Sequence, residues 1–252
     1  MTDDNHVRAL EERGFNAWPA RQTLFVGGWV LRLSDGLTKR ANSANALCPA
    51  APFPEVMRVA EEIYARHGLP TIFRLSPLAG AEADRTLEDA GYRIIDPSLV
   101  LTTAISEAPV TADVRISAAP TKAWLEGFAA ANAIPPDRRP LHDRIVGAIA
   151  LPTGFATLYD DGRAIGFGIG VYDRGMVGLF DIIVAPAARR RGAGTELTRA
   201  LLNWGRSMGA RQAYLQVIGD NAPARALYGK LGFGEAYRYH YRIAPETKAR
   251  QI

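Results

Sequence analysis

The chain has 252 residues, enough for one large domain or two of about 125 residues, each able to bury a core. Its 48% hydrophobic and 22% charged residues are those of an ordinary soluble protein, and the net charge of +4 suits an anionic ligand without demanding nucleic acid. No apolar run approaches the roughly 18 residues of a membrane helix, the N-terminus is too polar for a signal peptide, and the single Cys48 cannot form an internal disulfide, so we expect a cytoplasmic protein.

The first hundred residues alternate between helical and strand patterns. A helix capped by Thr2 or Asp3 is predicted to end at Gly14, and the sequence Ser34-Asp35-Gly36 predicts a hairpin-type turn. In chain order we then expect β-rich segments at 24–33 and 38–47, a helix at 54–67, a strand at 70–75, a helix at 82–90 and a strand at 92–103.

The second half follows a polar segment, 106–113, which predicts a linker. We expect a strand at 114–116, helices at 121–132 and up to about 150, hairpin strands at 155–159 and 164–172, a strand ending at 184, a helix from 195, a strand at 212–218, a helix at 221–231 and a strand at 237–242. Gly166, Gly168 and Gly170 alternate along a predicted strand and open no helix, so we interpret them as sheet positions that leave room for a neighbour.

A strand, a glycine loop and a helix N-terminus follow one another between residues 180 and 201. The apolar run ends at Pro186, three arginines follow at 189–191, and Gly192-Ala193-Gly194 stands where a helical period begins. Glycines let several backbone N–H groups converge on an anion, and the helix dipole adds roughly half a positive charge there. The segment therefore predicts a phosphate-binding loop, although arginine runs are often solvated surface and glycine pairs plain turns.

The spacing of the residues in this loop indicates which kind of phosphate ligand it binds. A nucleotide P-loop would need Lys after Gly194, and a dinucleotide loop would need Gly at the position of Leu197. The spacing Arg189-x-x-Gly192-x-Gly194 instead resembles the pyrophosphate loop of the GCN5-related N-acetyltransferase superfamily, which binds coenzyme A. About thirty residues later, N-x-P-A-R-A-L-Y-x-K-L-G-F from Asn221 resembles the second cofactor-binding motif of that superfamily.

A constant offset relates the two halves. Gly91 and Gly232 are 141 positions apart, as are Gly68 and Gly209, and this offset places helix on helix and strand on strand. We therefore predict an α/β (α+β) fold of two tandem domains, 1–108 and 109–252, each a mixed, mostly antiparallel sheet flanked by helices. At the same offset Arg189, Gly192 and Gly194 fall on Cys48, Ala51 and Phe53, so the first domain is expected to lack the cofactor motif, to pack against the second and to shape the acceptor pocket.

The resemblance implies an acetyl-CoA-dependent N-acetyltransferase. Such an enzyme moves an acetyl group to a primary amine, on a small molecule or a peptide, by direct attack on the thioester. The residues implied in cofactor binding are Ile182, Ile183, Val184, Arg189, Arg190, Arg191, Gly192, Ala193, Gly194, Thr195, Asn221 and Tyr228.

The resemblance also implies the roles of several of these residues. The strand ending at Val184 would splay from its neighbour near Ile183 and free N–H groups that polarise the carbonyl. Tyr228 would protonate the leaving thiolate, since a phenol with a pKa near 10 is protonated at neutral pH. Two structural alternatives stay open: Tyr228 as an aromatic on the buried side of a helix, and Asn221 as an N-cap.

The general base is less clear from the sequence. Asp181 is the carboxylate nearest the reacting end of the strand, and it could equally pair with an arginine. Glu196 is explained by the helix dipole. His240 lies on a terminal strand that borders the acceptor site in this superfamily, with an ordinary strand position as the alternative. The other histidines, His6, His67 and His142, show no partner pattern and no metal-ligand spacing.

Two competing functions remain at this point. A non-catalytic acyl-CoA-binding or sensing module would need the same cofactor motifs. A nucleic-acid-binding function is disfavoured because the basic residues are dispersed. The acceptor, the acyl length and the oligomeric state stay open.

Overall fold

A computed structural model describes residues 3–245. The helices are α1 (Asp4–Ala17), α2 (Phe53–Arg66), α3 (Gly80–Asp89), α4 (Lys122–Ala131), α5 (Arg139–Gly147), α6 (Ala193–Ser207) and α7 (Ala222–Lys230). The strands are β1 (Gln22–Val26), β2 (Trp29–Leu33), β3 (Ala44–Ala46), β4 (Ile72–Leu75), β5 (Arg93–Ala104), β6 (Asp113–Ser117), β7 (Thr153–Asp160), β8 (Arg163–Asp173), β9 (Met176–Val184), β10 (Gln212–Ile218) and β11 (Gly234–Ile243). Each helix among these residues is too short or too polar to cross a lipid bilayer.

Within residues 3–245 the eleven strands form one sheet, in the order β1-β2-β3-β4-β11-β5-β10-β9-β8-β7-β6. The pairs β3–β4 and β9–β10 are parallel, and the other neighbouring strands are antiparallel. The predicted mixed, mostly antiparallel sheet architecture flanked by helices is therefore confirmed, with one continuous sheet in place of a separate sheet for each domain.

From the first hairpin of each half onward, the two halves repeat the same order of elements, and they exchange their last strands. Shifted by 141 positions, α2, β4, α3 and β5 fall on α6, β10, α7 and β11. However, β11 lies between β4 and β5, and β5 lies between β11 and β10. Each half thus completes the sheet of the other, and the domain boundary at 108/109 stays a prediction.

Two layers of side chains cover the second half of the sheet. On one face, Trp124 and Phe128 of α4 pack against Phe155 and Phe167. On the other face, α6 packs against β7 to β10 through a second apolar cluster that includes Leu158, Val177, Leu197, Leu201 and Leu215. The strands between them alternate side chains between the two layers, as strand geometry requires.

The sheet glycines hold α6 close to the strands. A Cβ atom at Gly168 would lie 3.0 Å from Leu201, and one at Gly170 would lie 3.0 Å from Trp204. The interpretation that these positions leave room for a neighbour is confirmed for Gly168 and Gly170, whereas a Cβ atom at Gly166 would make an ordinary contact at 3.4 Å. Close packing along its length fixes the direction of α6 and the place where its N-terminus emerges.

Three local predictions in the first half differ from the structure. The first helix passes through Gly14 to Ala17, because Gly14 lies against the Gln216 side chain and serves packing rather than termination; Asp3 caps the helix, and Thr2 lies outside the described residues. The segment 24–33 is a hairpin rather than one β-rich stretch, since Gly27 and Gly28 both adopt positive φ (54° and 84°). The segment 38–47 holds a short 3₁₀ turn and the three-residue strand β3 rather than one extended stretch.

Candidate active site

The strands β9 and β10 separate before they end. Their parallel pairing runs from Met176 to Leu179 of β9 and stops there, five residues before β9 ends at Val184. Over that final stretch β9 still pairs with β8, while β10 still pairs with β5. The sheet therefore opens between β9 and β10 from Phe180 onward, earlier than the predicted position near Ile183.

A β-bulge lies at the start of this opening. Phe180 pairs with Ile169 of β8 and Ile183 pairs with Phe167, so two residues of β9 face the single residue Gly168. One of the two, Asp181, has a φ of 50°. Bulges re-aim side chains next to active sites, and a non-glycine residue with positive φ is a strained conformation that functional sites retain.

The loop after β9 leaves its backbone donors free. Gly192 has a φ of 85° and caps α6 in the left-handed conformation, and Arg190 has a φ of 62°. The N–H groups of Thr195 and Glu196 donate to the Gly192 carbonyl, but those of residues 190–194 have no acceptor within residues 3–245. Consecutive free N–H groups at a helix N-terminus form an anion-binding concavity.

Three exposed arginines surround this loop. The Nε of Arg189 donates to the Val184 carbonyl at 2.9 Å, which ties the loop to the end of β9. Arg191 lies 3.6 Å from Asp160, an exposed pair that contributes little stability. All three guanidinium groups therefore add positive charge at the helix N-terminus.

The helix α7 packs against the first turn of α6. A Cβ atom at Gly194 would lie 2.8 Å from Leu227, so glycine is needed there for α7 to approach. The next residue, Tyr228, is half-buried and packs edge-on against Phe233. Burial raises the pKa of Tyr228 to about 12, so its hydroxyl stays protonated in any physiological condition. Its phenol makes no hydrogen bond to residues 3–245.

The Asn221 side chain caps α7. Its Oδ1 accepts a hydrogen bond from the Ala224 N–H at 3.2 Å, so Asn221 is the N-cap of α7, as the structural alternative from the sequence predicted. The residue is exposed, and its cofactor role stays a prediction.

Asp181 is paired with His142, which the sequence did not indicate. The Nε2 of His142 lies 2.7 Å from Oδ2 of Asp181. Two aromatic rings stack on the imidazole, Phe128 at 4.6 Å and Trp124 at 6.4 Å, and its side chain is 5% exposed against 14% for Asp181. The predicted alternative, an arginine partner for Asp181, is not observed among residues 3–245.

Residues of the first half reach the opening of the sheet. Trp18 stacks on Phe180 with ring centroids 6.0 Å apart. The guanidinium of Arg40 lies 5.5 Å from the Phe180 ring and 5.0 Å from the Trp18 ring. Trp18 and Arg40 thus form a wall of the site.

Two other acidic or basic candidates lie elsewhere. Glu196 accepts hydrogen bonds from the N–H groups of Thr111 and Ala112 and so anchors the linker, a role that the helix dipole alone did not predict. His240 lies on β11, 3.2 Å from Asp84 and three strands from β9, which favours its ordinary strand interpretation.

The equivalent loop of the first half has almost no free donors. At the offset of 141, residues 49–53 correspond to 190–194. Pro49 and Pro52 have no N–H, and the N–H groups of Ala50 and Ala51 donate to the Gly27 carbonyl at 2.9 and 3.3 Å, which leaves the Phe53 N–H alone without an acceptor in residues 3–245. The hairpin turn occupies the amides that would hold an anion.

The open β9–β10 edge, the loop of free amides before α6 and the two sheet halves are the architecture of a GCN5-related N-acetyltransferase. A family profile described as "Probable histone acetyltransferase Rv0428c C-terminal" matches residues 4–242, and the chain belongs to this family. A protein of Bacillus subtilis (strain 168), named "Uncharacterized N-acetyltransferase YobR", is 32% identical over 246 residues, which cover 94% of this chain and 98% of that protein.

Solved structures share the fold. A GCN5-related N-acetyltransferase from Kribbella flavida superimposes with a TM-score of 0.71 at 16% identity, covering 99% of this chain and 98% of the other. A tandem GNAT protein from the clavulanic acid biosynthesis pathway superimposes with a TM-score of 0.62 at 12% identity, covering 95% and 89%. Together with the family profile and the Bacillus subtilis relative, these structures confirm the predicted superfamily, and the chain is an acetyltransferase of this type.

Proposed function

We propose that the chain transfers an acetyl group from acetyl-CoA to a primary amine by direct attack of the amine on the thioester. The observation that carries this proposal is the continuous arrangement of the open β9 edge, the loop with free amides and the α6 N-terminus. The family and the superfamily support acetyl transfer, and the side chains around the opening support the individual steps.

The residues of the loop fit a diphosphate. The free N–H groups of residues 190–194 are donors only, and they lie at the positive end of the 15-residue helix α6. The guanidinium groups of Arg189, Arg190 and Arg191 match phosphate oxygens in charge and geometry. Acetyl-CoA would be held by these three arginines and by Ala193, Gly194, Thr195 and Asn221. Residues 182–184 along the open strand would also contact it.

The open strand edge would stabilise the reacting carbonyl. When bound, acetyl-CoA supplies the thioester whose carbonyl carbon the amine attacks. Between Phe180 and Val184 the backbone of β9 is no longer paired with β10. Backbone N–H groups fixed in such a position can stabilise the negative charge that develops on the carbonyl oxygen. The strand needs no side chain for this role.

Asp181 would accept the proton of the attacking amine. An alkyl ammonium group has a pKa near 10, so a base must take one proton near neutral pH. The hydrogen bond to His142 fixes the direction of the Asp181 carboxylate, and the stacked rings of Trp124 and Phe128 hold the imidazole in place. His142 thus acts as a positioning residue.

Tyr228 would donate a proton to the leaving thiolate. Its raised pKa keeps the phenol protonated, and Leu227, the preceding residue, touches the first turn of α6. The half-buried phenol is therefore held close to the loop and free of protein hydrogen bonds.

Release of coenzyme A in the presence of an amine tests the proposal. The purified chain is incubated with acetyl-CoA and a panel of primary amines, and the loss of thioester absorbance is followed, because the exposed Cys48 would itself react with thiol reagents. A loss of thioester absorbance that depends on the amine, together with formation of the N-acetylated amine, supports the proposal. Tight coenzyme A binding without turnover for every amine would instead support a sensing module.

A further inference from the structure

A small cavity with three arginines in its wall lies between α1 and the strands β2, β3, β4 and β10. Its free volume is about 10 Å³, room for roughly one water-sized group. The polar side chains that line it are those of Glu11, Arg32, Arg40, Asn45, Arg74 and Gln216.

The cavity wall carries an excess of positive charge. Three guanidinium groups face one carboxylate, and Glu11 is already engaged by Nη1 of Arg74 and by the hydroxyl of Tyr237. Arg32 donates to the backbone carbonyls of Arg40 and Trp18 and has no carboxylate partner within residues 3–245. Buried unpaired charge is costly, so this wall favours an anion.

The lowered pKa of Arg32 agrees with an excess of positive charge in the cavity wall. Arg32, Arg74 and Glu11 are each 2% exposed. Burial, and next the nearby charge of Arg74, lower the pKa of Arg32 to about 10. An anion in the cavity would remove part of that repulsion.

Hydrogen-bond donors of the wall are also unused. Nε and Nη2 of Arg74 are buried and have no partner within residues 3–245. In the same part of the chain, the half-buried Arg40 and the amide nitrogen of the half-buried Gln216 also donate to no acceptor; Gln216 uses only its Oε1, which accepts from Tyr239 at 3.0 Å. A buried donor without a partner costs about 1–3 kcal/mol, so the two buried donors of Arg74 favour an acceptor in this cavity.

Two residues of the cavity wall, Gln216 and Arg40, also lie at the opening between β9 and β10. Gln216 is the first residue of β10 beyond its pairing with β9. Arg40 covers Phe180 and Trp18, and Asp181 follows Phe180 in β9. A group that enters through the opening can therefore contact both the cavity and the neighbourhood of Asp181.

We propose that this cavity binds the carboxylate of the acceptor, so that the acceptor is an amine that also carries a carboxylate, such as an amino acid. The inference rests on the proposed function, since it names the class of substrate for the same site. One carboxylate oxygen fits the free volume, and the donors of Arg40, Arg74 and Gln216 supply its hydrogen bonds.

Matched acceptor pairs test the substrate class. Lysine is compared with cadaverine, phenylalanine with phenethylamine, and leucine with isoamylamine. For the natural chain we expect at least one amino acid to exceed its decarboxylated partner roughly tenfold or more in kcat/KM, as loss of a charge-assisted hydrogen bond would give. In Arg40→Gln this ratio falls toward one, whereas Arg66→Gln, an exposed arginine at the end of α2, keeps it. Equal rates within every pair would overturn the inference and leave acetyl transfer standing.

A binding measurement decides the inference even if no amine is turned over. The melting temperature is followed with sodium formate as a small carboxylate, with sodium chloride at equal ionic strength as reference. Formate is expected to raise the melting temperature of the natural chain and of Arg66→Gln but not of Arg40→Gln. No rise with formate, an equal rise with chloride, or an equal rise in Arg40→Gln would overturn the inference.

Discussion

Nε2 of His142 lies 2.7 Å from Oδ2 of Asp181, although 39 positions separate the two residues in the chain. His142 belongs to α5, and Asp181 occupies the bulge where β9 leaves β10. The pair joins the helical layer to the opening of the sheet. It also holds a carboxylate at the place where the proposed reaction needs a base.

Removing the Asp181 carboxylate should reduce turnover. We expect Asp181→Asn to lower kcat on the order of a hundredfold, the usual contribution of a general base, with little change in coenzyme A affinity. Steady-state kinetics and calorimetry measure the two effects, and Asp137→Asn, an exposed residue, serves as the control. For His142, the amide of His142→Gln can still donate to Asp181 and should keep more activity than His142→Phe. Full activity of Asp181→Asn would exclude the base assignment.

Tyr228→Phe should slow the reaction while leaving the fold intact. The ring keeps its contact with Phe233, but the proton donor is lost, so we expect kcat to fall by about a hundredfold. Because the pKa of Tyr228 is raised to about 12, the natural enzyme should show no loss of rate from phenol ionisation near pH 10, where an ordinary tyrosine is half ionised. Tyr159→Phe, on β7, is the control. Unchanged turnover in Tyr228→Phe would remove the general-acid role.

Gly192→Ala separates backbone strain from ligand binding. Gly192 has a φ of 85°, Gly162 in the β7–β8 turn has a φ of 75°, and a Cβ atom at either position would meet no atom within 4 Å. Both substitutions should therefore cost a similar free energy of unfolding, about 1 kcal/mol. Only Gly192→Ala should weaken coenzyme A binding, by roughly tenfold, since it perturbs the loop that carries the donors. Equal coenzyme A affinity of the two variants would contradict the proposed diphosphate loop.

Glu196→Gln should reveal the anchoring of the linker through pH. Hydrogen bonds from the Thr111 and Ala112 N–H groups hold the pKa of Glu196 below its ordinary value of 4.5. A carboxylate whose pKa is lower in the folded state stabilises the fold at pH values above its pKa in the unfolded state. This stabilisation is lost as the pH falls through the pKa of the folded state. Natural and variant chains should differ by on the order of 1 kcal/mol near neutral pH, and the difference should disappear as the pH falls below 4.5 and through the lowered pKa of the folded state. Urea unfolding of both chains at acidic to neutral pH measures this difference in the free energy of unfolding. A difference that does not shrink in acid would argue against Glu196 as the anchor of the linker.

The chain should bind one coenzyme A. At the equivalent positions 49–53, two prolines have no N–H and the Ala50 and Ala51 amides donate to Gly27, whereas the amides of residues 190–194 are free within residues 3–245. Calorimetric titration of the natural chain is expected to give one site, which Gly192→Ala weakens. Two equivalent sites would show that the first half also holds the cofactor.

The sequence predicted the features that depend on local chemistry. Helix and strand periods, the glycine loop before α6 and the repeat at an offset of 141 are all written in nearby residues. The strand exchange of β5 and β11 could not be predicted, because it depends on which edges meet. The partner of Asp181 was missed for the same reason, since His142 carries no local pattern and gains its role only when α5 packs beside the bulge.

The exchange of β5 and β11 also sets an order for biosynthesis. Until β11 leaves the ribosome, β4 and β5 of the nascent chain each present an edge without its final neighbour, and unpaired edges invite association with other chains. The amino-terminal half therefore cannot complete its sheet during its own synthesis. Maturation waits for residues 234–243, so premature termination anywhere before them leaves two incomplete halves rather than one working domain.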